Sequence, residues 1–284
     1  MRNFVDLHIH SVASDGDLAP AEVVHQAESK RLAAVALTDH DTLAGLAEAA
    51  RAAAGLPVRF IPGVEISARF SGGTLHILGL GLDPASAVLT ETLRGLVQQR
   101  NRRNPKMIAK LQALGVDVTM DELRQVAGGA DSDTAVLGRL HMAKLICRKG
   151  YVRTVTDAFR RYLGYGAAAF VDKERLAPAQ AVEAIHAAGG LAILAHPSQL
   201  KCANSAQLER AVRWLVGHGL DGVEVYHSDH TPAQTRAYLG LARRLGLLVA
   251  GGSDFHGFGK PEARLGRPRV PLAAVQQLLA RLAP

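Results

Sequence analysis

The stretch Phe4-Val5-Asp6-Leu7-His8-Ile9-His10-Ser11 constrains this chain more than any other. It reads as a strand. Side chains alternate across a strand, so Val5, Leu7 and Ile9 face one side and Asp6, His8 and His10 the other. A carboxylate and two imidazoles on one face of a buried strand are costly unless they find partners. A divalent cation is a partner that all three accept. A strand whose histidines are simply hydrogen-bonded at its end fits these residues equally well. The rest of the chain separates the two readings.

Six further strand-like runs follow, at 33–38, 58–66, 74–82, 191–196, 222–226 and 247–253. Helical patterns separate most of them, the first after Pro20 and the second from about Thr42 to Ala54. Alternating strands and helices imply parallel strands with crossover helices. The 284 residues, 48% apolar, allow one large α/β domain or a domain with an insert. The expected fold is a distorted seven-stranded (β/α) barrel of the TIM type.

The alternation breaks between residues 86 and 172. Val88–Leu114 reads as one long or broken helix, and shorter helices are expected over 121–126, 134–148 and 154–162. Residues 1–85 and 173–284 therefore form the barrel. Residues 86–172 form a helical insert after the fourth strand that caps the barrel mouth and supplies substrate contacts. The insert is rich in Arg and Lys, and the whole chain carries a formal charge of +7, which favours anionic partners. Cys147 and Cys202 lack CxxC spacing and read as reduced thiols, hence a cytoplasmic protein. No apolar run is long enough to span a membrane, and no obligate protein partner is evident. Gly72-Gly73 and Gly128-Gly129 read as turns, not as phosphate-binding loops.

Histidines and carboxylates cluster where strands end. Asp15 follows the first strand, His40 ends the second and Glu65 lies at the end of the third. His76 sits in the fourth, His196 ends the fifth, and Asp254 and His256 end the seventh. In a parallel barrel these ends share one rim, where sites are built. With His8 and His10, these candidates outnumber the roughly four to six ligands that one ion takes. Two or three ions with shared carboxylates suit them better.

The ordered motifs Asp-Leu-His-Ile-His-Ser, Thr-Asp-His-Asp, Gly-Val-Glu-Ile-Ser, Ala-His-Pro and Gly-Ser-Asp-Phe-His resemble those of the polymerase and histidinol phosphatase (PHP) family. The resemblance covers the chain apart from the insert. It is closest to the members that act on nucleotides, of which one subgroup removes the 3′-phosphate from adenosine 3′,5′-bisphosphate and another trims short RNA from its 5′ end. The resemblance implies that His8, His10, Glu65 and Asp254 hold one ion. Glu65, His76 and His196 would hold a second, and Asp15, His40 and His256 a third. Asp6 and Asp39 would orient imidazoles. Mn²⁺ is the first choice of metal, with Fe²⁺ or Zn²⁺ as alternatives.

Hydrolysis would then proceed by metal-activated water attacking phosphorus in line, with His196 or His256 assisting proton transfer. Within the insert, Gly138-Arg139-Leu140-His141-Met142-Ala143 resembles a family segment in which a proline stands at the place of Leu140. Arg139 and His141 are the expected phosphate binders there. Arg100, Asn101 and Arg103 resemble the family's basic helix, and Arg100 and Arg103, one turn apart, share a face. Ser11 is a candidate hydrogen-bond donor to phosphate, His230 a candidate at the end of strand six, and Tyr162 or Phe170 a candidate for base stacking. The expected activity is 3′-dephosphorylation of nucleoside 3′,5′-bisphosphates to the 5′-monophosphate. Exonucleolysis of short RNA from the 5′ end is the alternative. A third reading, from another class, is a non-catalytic metal-stabilised interaction module.

Overall fold

The computed structural model describes residues 2–127, 136–172, 175–257 and 260–282. The turn expected at Gly128-Gly129 and the start of the helix expected over 134–148 lie outside the described residues. The barrel half begins β1 (Phe4–Asp6), α1 (Pro20–Ser29), β2 (Ala34–Leu37), α2 (Leu46–Ala53), β3 (Arg59–Ala68) and β4 (Leu75–Leu80). Four helices follow: α3 (Ala87–Ala113), α4 (Met120–Val126), α5 (Arg139–Arg148) and α6 (Val155–Ala158), the last running into a π-type turn at Phe159–Leu163. The chain returns through α7 (Pro178–Ala187), β5 (Leu191–Leu194), α8 (Ser205–Val216), β6 (Gly222–Tyr226), α9 (Pro232–Leu245) and β7 (Leu248–Gly251). It closes with β8 (Val270–Pro271) and α10 (Gln276–Arg281).

The strands form one sheet in the order β7-β6-β5-β4-β3-β2-β1-β8. The expected barrel is present, with an eighth strand, β8, added antiparallel to β1, and with one of the seven expected strands reversed. β4 runs antiparallel to both β3 and β5. A parallel connection needs a crossover of a dozen or more residues, and only residues 69–74 separate β3 from β4. The reversal brings the N-terminal end of β4, with His76, to the rim where the other strands end.

The first strand also departs from expectation. Regular pairing ends at Asp6. Val5 and Leu7 belong to one hydrophobic cluster and Ile9 to another, so strict alternation fails past Leu7. Residues 7–10 nevertheless close the barrel. The Leu7 amide donates to Gly251 at 3.1 Å, the Asp254 amide to His8 at 2.8 Å and the His10 amide to Phe255 at 2.9 Å. On the other flank the Thr38 amide donates to Ile9 at 2.8 Å. Gly252 makes this approach possible, because a Cβ there would lie 2.4 Å from the His8 backbone nitrogen.

Three hydrophobic clusters hold the elements. Val5, Leu7, Ile61, Leu80 and Ile193 pack inside the barrel, where Val275, Leu278 and Leu282 around α10 plug the lower end. A second cluster lies between the sheet and helices α1, α2, α7, α8 and α9, and takes Leu89, Leu93 and Leu96 from the first half of α3. The second half of α3 gives Met107, Ile108 and Leu111 to a third cluster with Leu123, Met142, Ile146, Tyr162 and Leu163. Tyr162 is therefore core. Leu111→Ala should cost about 2–5 kcal/mol, because that side chain is fully buried among residues of four helical segments. Urea denaturation of the variant checks this.

Candidate metal centre

The site is built around Glu65. Its side chain projects from β3 into the barrel mouth and is buried. Glu65 Oε2 meets Nε2 of His8 at 3.4 Å, Nε2 of His10 at 3.2 Å and Nδ1 of His40 at 3.0 Å. Oε1 meets Nδ1 of His76 at 2.6 Å and Nε2 of His196 at 3.0 Å. Asp254 Oδ1 lies 3.3 and 3.2 Å from the same His8 and His10 nitrogens. Asp15 Oδ1 lies 3.3 Å from His256 Nε2, and the His256 ring stacks on His10 at 4.0 Å. All nine expected ligands thus converge on one rim.

Charge and proton positions follow from this crowding. Burial alone would raise the Glu65 carboxyl, but His40, His76 and His8 hold it well below the usual carboxylate range. Asp254 and Asp15 behave alike: burial opposes ionisation, and their imidazole neighbours, with Lys260 beside Asp254, outweigh it. Burial pushes His10 down, yet Asp254 and Glu65 beside it raise it to about 10. His76 is pushed by burial to about 4, against the pull of Glu65, so its ring is neutral.

The donor set fits divalent cations. His8 Nε2, His10 Nε2, His40 Nδ1 and Glu65 Oε2 are buried and point at one another without making hydrogen bonds. Donors each about 2.1 Å from a shared ion would stand about 3 Å apart, which matches these spacings. Within the described residues, ligand atoms converge as His8–His10–Glu65–Asp254, as His10–Asp15–His40–His256 and as His40–Glu65–His76. The backbone is bent to achieve this. Asp41, His196 and Asp254 have φ of 54°, 26° and 53°, a region that costs non-glycine residues energy and is found where a site imposes it.

Several roles expected of neighbouring residues are filled differently. Asp6 orients no imidazole. It accepts from the amides of Ser253 at 2.8 Å and Gly266 at 2.7 Å, and burial raises it to about 6. Asp39 accepts from the Ser11 amide and hydroxyl at 2.8 and 2.6 Å and from the Ser14 hydroxyl at 2.5 Å. It reaches His10 only through Ser14, whose hydroxyl is 3.5 Å from His10 Nδ1. Ser11 is fully buried and its one proton goes to Asp39, so it has none for a phosphate. The carboxylate that does orient an imidazole is Glu224 on β6. Its oxygens lie 3.1 and 3.3 Å from His8 Nδ1, and one accepts the His196 amide at 2.8 Å. Burial opposes its ionisation, but His8 and His227 pull it down to about 2. A lone glutamate inside the apolar strand Gly-Val-Glu-Val-Tyr was the available signal.

The expected substrate contacts divide in the same way. Arg100, Arg103 and Arg139 line a cavity of about 130 Å³ with Arg175 and Phe170, bounded by Asp15, His40 and His76 of the cluster. Arg100 pairs with Asp41, and Arg175 with Asp172 at 2.8 Å. Arg139 lies over the rings of Phe159 and Phe170 at 5.7 and 5.6 Å. Asn101 faces away, into an outer groove of about 820 Å³ between the 41–44 loop and α3. His141 is buried, its Nδ1 accepts the Gly138 amide at 3.1 Å, and burial pushes it to about 4, so it offers a phosphate no charge. His230 bonds the Val225 carbonyl at 3.0 Å and stands beside His227, outside the converging ligands. A second cavity, of about 730 Å³, touches Asp15, His40 and His256 from the other side and is lined by Arg153, Thr154, Thr156 and Lys260. Leu140 and Phe159 border both cavities.

The PHP domain model matches residues 6–96. A 3′,5′-nucleoside bisphosphate phosphatase from Chromobacterium violaceum is 36% identical over 256 residues, covering 90% of this chain and 88% of that protein. A 5′-3′ exoribonuclease from Haemophilus influenzae is 37% identical over 251 residues, covering 88% and 89%. A solved structure from Bifidobacterium adolescentis, assigned as a metal-dependent phosphoesterase, superposes with a TM-score of 0.88 at 30% identity, covering 99% of this chain and 96% of that one. Likeness of this depth over nearly the whole length decides the matter: the chain belongs to the PHP domain family and is a hydrolase of phosphate esters.

Proposed function

We propose that this chain removes the 3′-phosphate from nucleoside 3′,5′-bisphosphates. One observation carries the reading: an arginine pocket of about 130 Å³ adjoins the ligand cluster. It has room for a phosphate and too little for a nucleoside. Burial pushes Arg103 down to about 9, and Arg100, Arg139 and Arg175 crowding it add to the push. Arg139 is pushed to about 10 by burial and by Arg100 and Arg175. Asp41 and Asp172 offset two of these four cations. A dianionic phosphate would offset the rest. A substrate with one phosphate at the cluster and a second in this pocket fits both.

His8, His10, Glu65 and Asp254 would hold one ion, Glu65, His76 and His196 a second, and Asp15, His40 and His256 a third, with Mn²⁺ the first choice. Divalent ions bound there supply Lewis acidity toward a phosphoryl oxygen and lower the pKa of water. The chain's own residues do the rest. Glu224 fixes the His8 tautomer by accepting a hydrogen bond from its Nδ1–H, so that Nε2 offers a lone pair. Arg100, Arg103 and Arg139 anchor the phosphate that is not cleaved. Leu140 and Phe159 stand between the two cavities and exclude water from the pocket. Residues 86–172 act as a cap in this reading, since they supply Arg100, Arg103, Arg139, Leu140, Phe159 and Phe170. Phe170 lies on the pocket wall under Arg139, where the space is too small for a base to stack.

Hydrolysis of short RNA from its 5′ end is the second reading. The 730 Å³ cavity on the far side of Leu140 favours it, because a strand could leave the cluster along Arg153, Thr154 and Lys260. No helix among the described residues is long and apolar enough to cross a membrane. Free Cys147 and Cys202 support a cytoplasmic location.

The deciding experiment is phosphate release by Mn²⁺-loaded protein. Adenosine 3′,5′-bisphosphate, 3′-AMP, 5′-AMP and a 5′-phosphorylated short RNA are compared by kcat/KM. Preference for the bisphosphate with 5′-AMP as product is expected. Stepwise release of mononucleotides from RNA at a higher kcat/KM would overturn it. Arg139→Met should lower kcat/KM for the bisphosphate by roughly 10- to 100-fold, the worth of a charge-assisted contact, and leave 3′-AMP turnover unchanged. Glu224→Gln should weaken metal affinity or activity by roughly 10- to 100-fold. Metal affinity should rise with pH. His10, raised from 6.5 to about 10, binds a proton that stabilises the metal-free fold below pH 6.5 and is lost toward pH 10, and that proton competes with the ion. Calorimetric Mn²⁺ titrations at several pH values check the sign.

A further inference from the structure

Among the described residues, two groups of converging ligand atoms fall outside the three-ion set: His8, Glu224 and His227, where Glu224 already orients His8, and His227, Asp229 and Asp254. The second is the one without a role so far. A cation already stands there. Lys260 Nζ lies 2.8 Å from Asp254 Oδ2 and 3.3 Å from Asp229 Oδ2. His227 completes the surroundings. Its Nδ1 accepts the Asp229 amide at 3.0 Å, which leaves the ring proton on Nε2, 3.4 Å from Asp254 Oδ2. The two oxygens of Asp254 are thereby sorted. Oδ1 faces His8 and His10, and Oδ2 faces Lys260 and His227.

This sorting matters because the backbone does not provide it. Asp254 sits at φ 53°, where a non-glycine residue is strained, so its partners must hold it. Lys260 suits that task. Its side chain is 20% exposed and Asp254's is 8%, so the pair is screened far less than a surface ion pair. An ammonium is also a compact cation that can occupy the gap between two carboxylates.

We propose that Lys260 is a positioning residue of the metal centre. Its ammonium fills, from within the chain, a place between Asp229 and Asp254 that would otherwise attract a further cation. It thereby holds Asp254 with Oδ1 turned toward His8 and His10. The proposal rests on reading His8, His10, Glu65 and Asp254 as metal ligands and is independent of the substrate.

The test uses the full chain, stripped with chelator and titrated with Mn²⁺ by calorimetry. Melting of the metal-free protein is followed alongside. Lys260→Met should weaken the tightest Mn²⁺ binding about 10- to 100-fold, the usual effect of losing a group that orients a ligand. Lys260→Arg, which keeps the charge, should recover most of that loss. A lysine that only braced its loop would lower the melting temperature and leave Mn²⁺ affinity alone, and that result overturns the proposal. Where Lys260→Met fails to fold, Lys260→Gln carries the same comparison with the same two outcomes. Wild-type protein that binds no Mn²⁺ would overturn the metal reading itself, a result distinct from equal binding by wild type and variant.

Discussion

A buried carboxylate surrounded by imidazoles is the constraint on which the structure depends. Glu65 is sealed inside the barrel mouth, where an isolated charge is intolerable. Five histidines meet it, from four places in the chain: His8 and His10 just after β1, His40 after β2, His76 on β4 and His196 after β5. Each strand must therefore end at the right height and turn its donor inward. The reversed β4, the break of alternation at Leu7 and the left-handed backbone at Asp254 are local departures from regular structure that this requirement imposes.

The strand-end ligands were legible because chemistry and spacing coincide in them. His8 and His10, like Asp254 and His256, stand two apart at the close of apolar runs, and motif order supplied the rest. What escaped has a common cause in sequence separation. Glu224 meets His8 across 216 residues, and its one local mark, a lone carboxylate in an apolar strand, does not say which group it partners. Asp41 pairs with Arg100 from 59 residues away. Ser11 shows the opposite error. Its place beside His10 suggested a hydrogen-bond donor to phosphate, but its proton was already committed to Asp39, and hydrogen-bond commitments are not written in residue types. The direction of β4 was readable in principle, since residues 69–74 are too few for a crossover.

Charge is divided across the site, with Lys260 beside Asp254, Asp41 beside Arg100 and Asp172 beside Arg175 as the crossings. The imidazole and carboxylate cluster draws cations, and the arginines of α3 and α5 draw anions. Asp15, His40 and His76 stand on the boundary between them. A group placed at that boundary would feel both fields at once, which is the electrostatic condition for handling a phosphate ester rather than a free metal or a free anion. The formal charge of +7 is thus concentrated in part where it has work to perform.

The long helix α3 belongs to two hydrophobic clusters, with Leu96 packed in one and Met107 in the other. Arg100 and Arg103 fall on the turns between those anchors. The helix therefore joins two packed bodies, and Pro105, which cannot donate to the ladder, stands beside the arginines that line the 130 Å³ cavity. If residues 86–172 act as the cap of the proposed function, a swing of that cap would bend α3 at this stretch and pull the arginines off the phosphate they are proposed to anchor. In that proposed reading, opening the mouth and letting go of the ligand are one mechanical event.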